Sequence, residues 1–211
     1  MSLRNTILSL IAAFVLLPTA SAAAAGGNYV FAGGTAKQQA QVTGALKASA
    51  FDWSLVPEQI TVHIGPGLPT EATPGHIWLD SNLLDAGSFS WGTVQHEYAH
   101  QVDFFLLDGA KRQLLQSLIG GKDWCYGSLG LPHAAYGCER FASTLAWAYW
   151  PSSSNSMKPA SPADESAAMD PAKFRDLLTS LIGAPNTIAP AAMTAFAPPS
   201  AKARAPKPKK K

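Results

Sequence analysis

The chain is short of charge, of cysteine and of long apolar runs. Only 14% of its 211 residues are Asp, Glu, Lys or Arg, whereas 47% are hydrophobic. That balance excludes a chain disordered throughout by self-repulsion and supplies enough apolar side chain for a core. The clearest apolar run, residues 7–17, has eleven residues, against the roughly 20 a helix needs to cross a bilayer. No later segment is long and apolar enough to do better. There are two cysteines, Cys125 and Cys138, too few for a small scaffold that depends on disulfides.

What stands around the apolar run reads as an export signal. Arg4 precedes it, Pro18 ends it, and Ala20-Ser21-Ala22 supplies a small-x-small cleavage pattern. Residues 1–22 are therefore set aside, and the mature protein is expected outside the cell with no membrane span. In an oxidising compartment an even pair of cysteines predicts a Cys125–Cys138 bridge. Closing a loop of 13 residues contributes about 3 kcal/mol in the chain-entropy model.

The net charge of +2 conceals an uneven distribution. Residues 23–183 hold nine Lys/Arg against fourteen Asp/Glu, whereas Lys202, Arg204, Lys207, Lys209, Lys210 and Lys211 crowd the end without an acid. Residues 184–211, rich in Ala, Pro and Lys, form a basic tail that cannot bury a core. Such a tail can tether a protein to anionic cell-wall or surface polymers, or act only as a solubilising extension. Nothing points to a specific nucleic-acid site, and a monomer is expected.

Between signal and tail, one domain is predicted, residues 23–183. Residues 35–51 read as a helix; residues 59–64 alternate as a strand, residues 75–79 as a second, and residues 28–32 as a third. Residues 65–74 read as a connection rich in Gly and Pro. From Ser90 the period becomes helical, with Trp91, Val94, Tyr98, Val102 and Phe105 on one stripe. Helices follow over residues 110–119, 138–150 and 171–181, the last with Asp170 as cap and Pro171 at its first position. The fold class is α+β: a small mixed sheet packed on the helix from Ser90, then a mostly helical C-terminal half.

That helix carries His96-Glu97-Tyr98-Ala99-His100. Positions i and i+4 lie about 40° apart around the axis and about 6 Å along it. Both imidazoles can therefore meet one Zn²⁺, while Glu97 on the flank reaches a water rather than the metal. A catalytic zinc usually has a third protein ligand. Asp103 and Leu106 stand where a metzincin needs Gly and His, so the third ligand is sought elsewhere. Glu139 is the best candidate, at the start of a helix whose small Ala142, Ser143 and Ala146 permit close approach. Tyr136, and after it His133, are candidates to stabilise an oxyanion. Asp103, or alternatively Ser143, is expected to orient the imidazoles. His63 and His76 are read as surface or structural residues of strands, not as ligands.

His96-Glu97-x-x-His100 followed by Glu139-Arg140-Phe141-Ala142-Ser143 resembles the gluzincin metallopeptidases, the thermolysin-like group, and among them the compact single-core members. Thermolysin-like members often carry Asp where this chain has Ser143. The resemblance spans about residues 55–150. It implies a zincin-like domain and peptide hydrolysis of a protein or peptide substrate. It also implies a substrate-binding edge strand at His76, Ile77, Trp78 and Leu79, against which an extended peptide would pair. A zinc-stabilised protein that binds without hydrolysing is the alternative, and intact Glu97 argues against it.

Overall fold

A computed structural model of the chain describes residues 26–125 and 130–186. Residues 1–22, read as an export signal, and the basic residues from Lys202 onward lie outside the described residues. The architecture is α+β, as the pattern predicts: the described residues form a four-stranded mixed sheet and six helices.

Strand β1, Tyr29–Gly33, leads into helix α1, Ala36–Ala48. Thr35 caps α1 reciprocally: its hydroxyl accepts from the Gln38 N–H at 3.3 Å, and the Gln38 side chain accepts from the Thr35 N–H at 2.9 Å. Strand β2 is Ile60–Gly65, β3 Glu71–Thr73 and β4 His76–Asp80. The sheet order is β1-β2-β4-β3; β1, β2 and β4 run parallel, and β3 runs antiparallel to β4 at one edge. The strand period of two sends Ile60, Val62, Ile64, Ile77 and Leu79 into the core. Thr61, His63, His76 and Trp78 take the opposite face.

Asp80 ends β4 and caps the short α2, Ser81–Asp85, by accepting from the Asn82 N–H. Helix α3 is Trp91–Leu106 and α4 is Gly109–Ile119. Helix α5 is Gly137–Tyr149 and α6 is Pro171–Ile182, with the Asp170 carboxylate accepting from the N–H groups of Ala172 and Lys173. Proline at the first position of α6 loses nothing, because that N–H would have no helical partner.

Helix α3 is the centre of the molecule. Every residue from 94 to 103 is buried. Val94, Tyr98 and Val102 share one core with the inner face of the sheet and with Phe141, Ala142 and Leu145 of α5. A helix covered on all sides must pair its polar side chains internally. Gln95 donates to the Ala45 carbonyl at 2.7 Å. Gln101 donates to the carbonyls of Thr73 (2.9 Å) and His76 (3.0 Å) and accepts from the Gly75 N–H (2.9 Å). One side chain thus ties the β3–β4 turn to the helix that bears both histidines.

The structure departs from the sequence reading in four places. Helix α1 stops at Ala48. Strand β3 lies inside what reads as a connection, and α2 carries no periodic pattern long enough to announce it. The folded body continues past Gly183: Ala184 is buried, and the Arg175 side chain donates to the Asn186 carbonyl.

Candidate metal centre and cleft

Helical geometry places His96 and His100 one turn apart on the face of α3 that meets α5. The small residues Ala142 and Ala146, both fully buried, let α5 come close enough for Glu139, in its first turn, to reach them. Glu139 Oε2 lies 3.1 Å from His96 Nε2 and 3.2 Å from His100 Nε2, and the two nitrogens are 3.2 Å apart. All three residues are buried.

The trio fits a divalent metal. Ligands about 2.0–2.1 Å from a tetrahedral ion stand about 3.3 Å from one another, close to the spacings here. The ring protons also fit. Ser143 Oγ donates to Glu165 Oε2 at 2.9 Å, so its lone pairs take the Nδ1–H of His96 at 3.0 Å. That arrangement leaves the His96 Nε2 lone pair turned to Glu139 and His100. Two imidazole lone pairs and a carboxylate oxygen in mutual contact need a positive charge among them. The charge can be a cation or shared protons. Burial pushes the His100 imidazole down, but the hydrogen bond to Glu139 and its charge outweigh this and leave the ring above its ordinary value. Burial pushes Glu139 up, yet hydrogen bonds from His100, His133 and His96 hold it well below the usual carboxylate range.

Glu97 sits on the flank of this cluster, 5% exposed, and makes no hydrogen bond or ion pair to any described residue. Burial raises its carboxyl above the ordinary value, and the neighbouring histidines do not cancel that. The cleft beside it encloses about 420 Å³. Its walls are Thr70, Glu71 and Ala72 on the β3 side, His96, Glu97, His100 and Phe104 along α3, and Cys125, His133 and Glu139 opposite.

His133, in a 3-10 turn at His133–Ala135, borders the cleft with its side chain half exposed. Its Nε2 is 3.1 Å from Glu139 Oε2 and its Nδ1 is 2.6 Å from Glu165 Oε1. The hydrogen bonds to Glu139 and Glu165 push its ring up to about 10. Cys125 and Cys138 are bonded, with Cα atoms 5.4 Å apart, so the cysteine next to Glu139 is fixed to the loop that forms the cleft wall.

Three expectations are corrected. Tyr136, favoured as the oxyanion group, is 3% exposed at the entry to α5 and does not line the cleft, whereas His133 does. Asp103 does not hydrogen-bond to His100. Its carboxylate accepts from Arg112 at 2.8 Å and from the Trp124 indole at 3.1 Å, anchoring α4 and the loop after it. Ser143, the alternative, is the group on His96. Finally, His76, Ile77, Trp78 and Leu79 are not an edge strand. β4 is paired on both sides; Ile77 and Leu79 are buried and His76 and Trp78 face away from α3. The edge beside the cleft is β3. A three-residue strand reading Glu-Ala-Thr, with Pro69 before it and Pro74 after, has neither the length nor the β-branched alternation that reveals a strand.

Glu165 was not anticipated. It lies in a polar stretch with no period, 26 residues after Glu139, and only the packing of the 3-10 turn Glu165–Ala167 against α5 brings it to Ser143 and His133. Comparison with family models, with curated proteins and with solved structures returns no match for this chain. Geometry alone carries the functional reading. The chain brings together three donors that could hold a metal ion, a carboxylate with no hydrogen bond or ion pair among the described residues and a histidine oriented by Glu165, in an open cleft walled on one side by a sheet edge.

Proposed function

We propose that the protein is a secreted zinc peptidase of the gluzincin type. One observation carries the proposal: His96, His100 and Glu139 converge within 3.2 Å of one another beside a buried Glu97 that makes no hydrogen bond or ion pair among the described residues. A structural metal site has no use for such a carboxylate. The disulfide and the absence, among the described residues, of a helix long and apolar enough to cross a membrane agree with an exported protein.

His96 Nε2, His100 Nε2 and Glu139 Oε2 would hold the zinc, which when bound supplies Lewis acidity to a water and to a substrate carbonyl. Glu97 takes the proton from the attacking water and returns it to the leaving amine; its raised affinity for a proton suits a group that must both accept and donate. His133, held at Nδ1 by Glu165, directs Nε2–H at Glu139 Oε2; once that oxygen binds zinc, this N–H would be free to turn to the carbonyl oxygen as it gains charge. The free edge of β3 offers backbone groups to an extended peptide, with Gln101 fixing the edge relative to α3. Where the gluzincin resemblance leads one to expect an aspartate, this chain has Ser143, which passes the contact on to the carboxylate of Glu165.

Metal analysis of the mature protein, with a peptide-library digest in the presence and absence of chelator, tests the reading. One zinc per chain and chelator-sensitive cleavage are expected. Glu97→Gln should keep the zinc and lose at least about 10²-fold in turnover, the lower end of what acid–base catalysis contributes. Zinc bound with no cleavage of any peptide by the wild type would leave the binding-protein alternative instead.

A further inference from the structure

On the sheet face turned away from α3, three rings stand together. His63 on β2 and Trp78 on β4 are nearly parallel, at 7°, with centroids 5.0 Å apart. His76 lies 5.5 Å from Trp78 and 5.3 Å from His63. Register produces the cluster: His63 is opposite Trp78 and Thr61 opposite His76, so these alternate residues emerge on one side. His63 Nε2 and His76 Nδ1 are 3.1 Å apart. Among the described residues, neither ring has another hydrogen-bond partner.

We propose that His63 and His76 form a second metal site, bidentate and open to solvent, for a borderline divalent transition metal. Two nitrogens 3.1 Å apart subtend about 100° at an ion about 2.0 Å from each. That angle lies between the tetragonal preference of Cu²⁺ and the tetrahedral preference of Zn²⁺, and Cu²⁺ binds nitrogen sites more tightly. Each ring has a second nitrogen free of protein acceptors, so each can carry its proton there and turn a lone pair into the gap. Trp78 packs against both rings, so little side-chain freedom is lost when a metal arrives. Without a metal, the same gap is closed by a hydrogen bond from one ring to the other. Water fills the remaining coordination positions, because no third histidine, cysteine or carboxylate among the described residues joins the pair. The site is separate from the cleft, on the other face of the sheet, and does not depend on the peptidase reading.

Trp78 supplies the readout, since Cu²⁺ between these rings would quench its fluorescence. The protein loaded with one equivalent of zinc per chain is titrated with Cu²⁺, following fluorescence and the copper retained after gel filtration. One copper per chain above the zinc, with saturable quenching, is expected. His63→Gln and His76→Gln should each weaken that binding by about tenfold or more, with circular dichroism and zinc content unchanged. Trp78→Phe should retain the copper and lose most of the saturable quenching. Equal copper uptake by wild type, His63→Gln and His76→Gln would overturn the proposal. Full saturable quenching in Trp78→Phe would also overturn it, because the ion would then lie elsewhere.

Discussion

Glu165 hydrogen-bonds through both carboxylate oxygens, one accepting from Ser143 and the other paired with His133. The carboxylate therefore acts on the candidate metal donors through His96 and on the cleft through His133. A glutamine in its place would present one acceptor and one donor, so it could not accept from both. If the amide donor faced Ser143, the hydroxyl would lose its acceptor and its hold on the His96 tautomer. Glu165→Gln should weaken zinc binding by about tenfold or more, the usual cost of losing a group that orients a metal ligand. Competition with a chromophoric chelator measures it. Unchanged zinc affinity in a folded Glu165→Gln protein would remove this residue from the cradle's support.

Glu97 predicts the opposite kind of effect. Burial raises the proton affinity of Glu97 despite the attraction of His96 and His100, so its charged form is held at a cost to the fold. Metal-free Glu97→Gln should be more stable than metal-free wild type, by about 1 kcal/mol or somewhat more. Urea unfolding in chelator reads this directly, and a less stable variant would mean that Glu97 has a structural role instead.

At the scale of elements, the sequence revealed what has a period and concealed what depends on packing. Helix α3 was legible from its apolar stripe, α6 from Asp170 and Pro171, and β2 from its alternation. His96, Glu97 and His100 follow from i, i+4 geometry on a helix whose existence was independently readable. Glu139 required one further step, that a helix face of Ala142, Ser143 and Ala146 can approach a partner closely. β3 and Glu165 were not legible, because a three-residue edge strand and a 3-10 turn have no period and take their shape from what they pack against. The face presented by His133 rather than Tyr136 was likewise decided by tertiary packing.

The link between α3 and the β3–β4 turn gives an element-scale prediction. Gln101 makes three hydrogen bonds to that turn. Gln101→Ala would strip partners from backbone groups beside the core, at about 1–3 kcal/mol. Loss should be local first: the Gly75 amide should exchange faster than amides of β2, whose ladder does not involve Gln101. If the Gly75 amide kept its wild-type protection, the edge strand would be held by its own pairing with β4 alone.

At the scale of the whole molecule, the three candidate metal donors come from two helices that only the folded state brings together. His96 and His100 are near each other in any helical fragment, but Glu139 is 39 residues beyond His100. A metal that needs all three therefore binds the native chain in preference to the unfolded one, and its binding free energy adds to stability. At a free zinc concentration 100 times the dissociation constant the gain is about 2.7 kcal/mol. For a domain of this size, about 2–4 °C per kcal/mol makes that about 5–10 °C in Tm. Glu139→Ala should abolish most of the zinc-dependent rise, because the two remaining imidazoles are already adjacent in local structure. Replacing Cys125 and Cys138 by serine should lower Tm in chelator by an amount equivalent to about 3 kcal/mol. It should also reduce the zinc-dependent rise, since the bridge anchors the residue next to Glu139. A Tm that ignores both zinc and chelator would show that these three side chains do not act as one metal site.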